Sequence, residues 1–156
     1  MQAQNPLGIA PVGGLIAKFA IPAIISMLVS AMYNIVDQIF IGQGVGMLGN
    51  AATNVAFPVT TVATALALLL GIGGASNYNL EMGAGQEKKA SGIAGTALSS
   101  LASSGLILAV IVLMFLKPLL TLFGATADVM PYAVDYTGIT ALGLPFYILS
   151  VGGNHI

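Results

Sequence analysis

Residues 51–80 read AATNVAFPVTTVATALALLLGIGGASNYNL, and no charged residue occurs between Asp37 and Glu81. A helix that crosses the roughly 30 Å hydrocarbon core of a bilayer needs about 20 predominantly apolar residues. The stretch shows no sustained alternation at period two, which excludes a half-buried strand. Its reading as a transmembrane helix decides the fold class.

Three further stretches qualify on the same grounds: Leu15 to Ile41, Ala90 to Leu116, and Pro131 to Val151. The expectation is an all-α, polytopic membrane protein with four spans, at about 15–41, 51–80, 90–116 and 131–151. Turn chemistry separates them. Gly42-Gln43-Gly44-Val45-Gly46 joins the first two, and Gly83-Ala84-Gly85-Gln86-Glu87-Lys88-Lys89 joins the second and third. Lys117-Pro118 and Phe123-Gly124-Ala125-Thr126-Ala127-Asp128 lie between the third and fourth. Loops this short make sequential helices antiparallel neighbours.

Composition agrees. Hydrophobic residues make up 57% of the chain and charged residues 6%, against about 25% charged in a soluble domain. Nine acidic and basic side chains cannot cover a globule in water. There is no cysteine, so disulfides and thiolate metal sites are excluded. No basic patch points to nucleic acid, and no serine, histidine and carboxylate set points to an enzyme. The first apolar stretch exceeds the h-region of a signal peptide. Lys18, Lys88 and Lys89 fall on one side of the membrane and Lys117 on the other. The positive-inside rule then predicts a cytoplasmic N-terminus.

Several local features carry expectations. The rows Gly92, Thr96, Ser100, Ser104 and Gly95, Ser99, Ser103 predict a close-packing face on the third span, with the wall of a hydrated pathway as the alternative. Pro22, Pro58 and Pro145 fall inside spans and free backbone carbonyls there. Gly71-Ile72-Gly73-Gly74 follows a helix rather than a strand and is not a nucleotide loop. Asp128 ahead of Pro131 reads as a helix cap.

Asp37 is the most informative residue. It lies inside the first apolar span, about one turn from its outer end. An ionisable group within a span is costly, by roughly 2.5–3.5 kcal/mol at the bilayer centre, and the default expectation is function. Ser26, Ser30, Tyr33 and Asp37 share one helix face, flanked by Asn34 and Gln38. The second span offers Asn54 and Thr61 alongside Thr53, Thr60 and Thr64. Any single one of these threonines is expected to bond its own backbone. A carboxylate in such a stripe can exchange a proton or bind a monovalent cation, which is the chemistry of ion coupling. Asp37 is the candidate coupling group, with Tyr33, Asn34, Asn54, Ser30 and Thr61 as candidate cavity-lining residues.

At these residues a resemblance emerges. The run from Ile25 to Gly42, and Gly49-Asn50-Ala51-Ala52-Thr53-Asn54-Val55-Ala56-Phe57-Pro58, resemble the start of the multidrug and toxic compound extrusion family. Gly71 to Asn79, Gly83-Ala84-Gly85, Phe123-Gly124-Ala125-Thr126, Pro131-Tyr132-Ala133 and Gly152-Gly153-Asn154-His155 extend the likeness along nearly the whole chain. The resemblance implies twelve spanning helices in two six-helix lobes. It implies export of cationic amphipathic drugs in exchange for protons or sodium, without an organic cofactor. It also implies that Asp37 serves cation coupling in the N-terminal lobe. Family members are about three times longer, so residues 1–156 are expected to be a partial N-terminal lobe whose partners are the bilayer, the drug and the remainder of the transporter. The expected location is the bacterial inner membrane. Two other readings use the same residues. One is a small four-helix exporter that dimerises with Asp37 paired across a two-fold axis. The other is a packing subunit without transport, which has no need of Asp37.

Overall fold

A computed structural model describes residues 12–156. It contains helices α1 (Val12–Gly44), α2 (Met47–Gly83), α3 (Glu87–Met114), α4 (Leu116–Leu122) and α5 (Met130–Gly153). Four of these, all but α4, are long and apolar enough to cross a membrane. The chain is a multi-pass, all-α membrane protein. At 37 residues and 1.5 Å per residue, α2 runs about 55 Å, well beyond the hydrocarbon thickness. Pro22, Pro58 and Pro145 lie inside α1, α2 and α5. The tight joints use glycine where the backbone turns left-handed, at Gly46 (φ 82°) and Gly85 (φ 73°).

The chain divides into two compact units. One holds α1, and the other runs from Val45 to Ile156. In the second unit α2, α3 and α5 pack against one another. Helix α2 buries Ala52, Ala56, Val59, Ala63, Ala67 and Gly71. Helix α5 buries Ala133, Thr137, Ala141, Leu144, Ile148 and Gly152. The steps of three and four keep each set on one helix face. Ala52 clusters with Ala133 near the starts of these helices, and Gly71 meets Gly152 near their ends. The two therefore run parallel, with α3 antiparallel between them in sequence.

The core is built mainly from small residues, with Leu101, Leu120, Leu144 and Ile148 as its large enclosed members. Large side chains point outward instead: Leu69, Ile139 and Phe146 are 69%, 75% and 76% exposed. Lipid tails are as apolar as leucine, so burying a large side chain between helices gains little from solvent; close backbone approach gains dispersion contacts. A Cβ added at Gly71 would lie 2.5 Å from the Gly152 carbonyl oxygen, and one at Gly105 would lie 2.7 Å from Pro145 Cα. Both contacts are with backbone, which cannot move aside.

The third span ends at Met114, within the approximate bounds expected; Phe115 breaks the helix, and Leu116 opens α4. Two expectations about the joint that follows need correction. The Lys117-Pro118 pair, read as a joint, sits in the first turn of α4, where a proline has no intrahelical hydrogen bond to lose. Asp128 is not a cap. Val129 holds that position, and no side chain among the described residues caps the helix. The turn is closed instead by the Val129 and Met130 amides donating to the Thr126 carbonyl at 3.1 and 2.9 Å. Pro131 does lie in the first turn of α5.

The packing face of α3 overlaps the expected rows only in part: Ser100 and Ser104 are half-buried. Ala90, Ala97, Leu101, Gly105, Ala109 and Val112 are buried. Gly92, Gly95, Thr96, Ser99 and Ser103 are exposed within the unit, and a Cβ at Gly92 or Gly95 would meet nothing within 4 Å. The Gly71–Gly74 run is uninterrupted helix, as its sequence context required.

Candidate functional site

Helix α1 continues unbroken through Ser30, Tyr33, Asn34 and Asp37, so helical spacing alone sets these residues on one face. The Asn34 side-chain amide donates to the Ser30 carbonyl oxygen at 2.8 Å. Tyr33 is 71% exposed within its unit, and Asp37 is half-buried. Asp37 carries the only formal charge between Lys18 and Glu81. The stripe thus combines one carboxylate with neutral groups that can be satisfied along their own helix.

The second set lies on α2, in the other unit. Asn54 and Thr61 are both exposed there. Asn54 donates to the Asn50 carbonyl at 2.9 Å, and Thr61 donates to the Phe57 carbonyl at 3.0 Å. Thr53 and Thr60 bond the carbonyls of Asn50 and Phe57 at 2.9 and 2.8 Å. The expectation that these threonines serve their own backbone holds. Such back-bonding keeps a polar side chain tolerable inside a bilayer while leaving oxygen lone pairs on the surface.

One contact was not foreseen. Thr64 donates to the Thr60 carbonyl at 2.8 Å, which leaves its hydroxyl oxygen free to accept from Tyr147 Oη at 2.8 Å. This bond ties α2 to α5 beside the proline at position 145. Its only sequence signal was a tyrosine in an apolar span, a signal shared by Tyr132 and Tyr136 on the same helix.

Comparison with known proteins agrees with this architecture. The MatE family model matches residues 22–156. An FAD transporter of Shewanella oneidensis is 28% identical over 99% of this chain and 34% of its own length. The multidrug export protein MepA of Staphylococcus haemolyticus is 30% identical over 84% of this chain and 29% of its own. A solved structure described as protein A superposes with a TM-score of 0.82 at 36% identity, covering 93% of this chain and 32% of that one. The chain thus spans about a third of the length of the relatives it matches. Since the family match runs from the first spanning helix through the last, the chain belongs to the MatE family.

Proposed function

We propose that residues 1–156 are the N-terminal part of a six-helix lobe in a twelve-helix antiporter of the inner membrane. The antiporter exports cationic amphipathic compounds in exchange for protons or sodium, performs no covalent chemistry and uses no organic cofactor. The observation that carries this reading is the polar stripe ending in Asp37 on a membrane-spanning helix. A lone carboxylate in a span is costly unless it serves a pathway, a partner or an ion. In this proposal Asp37 alternates between a coupling cation and the drug's positive charge, while Tyr33, Asn34, Ser30, Asn54 and Thr61 line the cavity. The relatives named for multidrug export support the substrate class. The N-terminus is proposed to face the cytoplasm, following the lysine distribution.

The relative named as an FAD transporter supports a second substrate reading. An acidic site suits a cation better than a dinucleotide that carries phosphate charge, so the drug reading is preferred. The test is efflux from cells that express the full-length protein containing this chain, with a cationic dye and FAD measured in parallel. The expected result is dye export that falls at least tenfold in Asp37→Asn at unchanged protein level. FAD export without dye export would replace the substrate class. Undiminished dye export by Asp37→Asn would remove Asp37 from coupling.

A further inference from the structure

The exposed row on α3 forms one wall of a groove whose other wall is α2. The groove is shallow and open, with a volume of about 640 Å³, and its lining includes Leu69, Gly73, Asn77, Lys89, Gly92 and Thr96. A Cβ at Gly73 or Gly92 would meet nothing within 4 Å, so these glycines are not required by the packing of this unit. They leave room for something else.

The lining describes what fits. Asn77 donates to the Gly73 carbonyl at 2.8 Å and Thr96 to the Gly92 carbonyl at 2.9 Å. Those bonds to their own helices lower the cost of holding Asn77 and Thr96 against an apolar body, and the rest of the lining apart from Lys89 is glycine, aliphatic or small. Lys89 is the single charged residue in the lining. Glu87 lines a neighbouring groove with Tyr78, Met82 and Ser91, and shares a crevice at the loop with Lys88 and Lys89. Of these charged residues Lys89 alone lines the α2–α3 groove, placing one positive charge at the loop end of a mainly apolar lining.

Its length is also informative. The α3 wall runs from Lys89 to Ser100, eleven helical steps or about 16 Å. That is close to half of the roughly 30 Å hydrocarbon core, the depth of one leaflet. We infer that the α2–α3 groove binds an anionic phospholipid, its phosphate on Lys89 and one acyl chain lying along Gly73, Gly92 and Thr96. Basic pockets between helices at the membrane surface recognise lipid head groups in this way.

Residues 1–156 hold no cysteine, so in the full-length protein, with any cysteine outside them replaced, a bimane fluorophore can be placed at Thr96→Cys alone. The labelled protein is reconstituted in phosphatidylcholine nanodiscs containing graded amounts of brominated phosphatidylglycerol or brominated phosphatidylcholine. The anionic lipid is expected to quench at about a fivefold lower mole fraction, the gain of one lysine near an anionic head group. Lys89→Gln should merge the two curves, Lys89→Arg should keep them apart, and Lys117→Gln on the other side should change nothing. A label at Leu106→Cys, where the residue is 60% exposed on the same helix, reports that α3 remains inserted in lipid in each variant. Identical curves for the two lipids in the parent chain would overturn the proposal. So would a label at position 96 that neither lipid quenches while the label at 106 is quenched, since protein would then cover the groove.

Discussion

Thr137 is 1% exposed, and its hydroxyl has no hydrogen-bond partner among the described residues. A buried unpaired hydroxyl is unfavourable, whereas an isosteric methyl is not. Thr137→Val is therefore expected to leave stability unchanged or raise it by about 1 kcal/mol, read from thermal unfolding in detergent. Tyr147→Phe is expected to act in the opposite direction. It removes the Thr64–Tyr147 bond, and interhelical hydrogen bonds in membranes average about 0.6 kcal/mol. A double-mutant cycle with Thr64→Val should return a coupling of that order, and zero coupling would show that the bond is not formed. Asp37 was legible in the sequence because one charge in an apolar run stands out without any knowledge of contacts. Tyr147 was not, because nothing in the sequence distinguishes the tyrosine of α5 that faces Thr64.

At the level of elements, the helices were legible and their faces were not. Hydropathy and length locate the spans, since a bilayer demands about 20 apolar residues wherever the chain crosses it. In water, a helix advertises its buried face by polarity, but in lipid both faces are apolar and that signal fades. Of the glycine, serine and threonine rows expected to pack on α3, Ser100 and Ser104 are half-buried and the rest exposed within the unit, while alanines, Leu101, Gly105 and Val112 are buried. Glycine matters only where backbones meet. A Cβ at Gly152 would overlap Leu101 and lie 2.9 Å from the Ala67 carbonyl oxygen, whereas one at Gly143 would meet nothing within 4 Å. Gly152→Ala is expected to destabilise the unit by about 1–3 kcal/mol through overpacking. Gly143→Ala on the same helix is expected to be neutral or slightly stabilising, by helix propensity. Equal effects at the two positions would contradict the packing described for α2, α3 and α5.

At the scale of the whole molecule, four apolar helices and family membership make the chain a multi-pass membrane protein of the MatE family that spans about a third of the length of the relatives it matches. The overall class was legible because composition constrains it: 6% charged residues cannot solvate a globule. The candidate site was legible only as far as one helix reaches. Ser30, Tyr33, Asn34 and Asp37 share a face by helical spacing alone, whereas their relation to Asn54 and Thr61 depends on long-range packing that spacing does not encode. The measurement that bears most directly on the proposed function is ion movement in proteoliposomes containing the full-length protein. A proton or sodium gradient is imposed across the membrane, and its dissipation is followed when a cationic drug is added. Drug-stimulated ion flux is expected in the parent protein and none above background in Asp37→Asn, with drug binding retained at reduced affinity. Drug-stimulated flux of equal size in Asp37→Asn would contradict the proposed coupling.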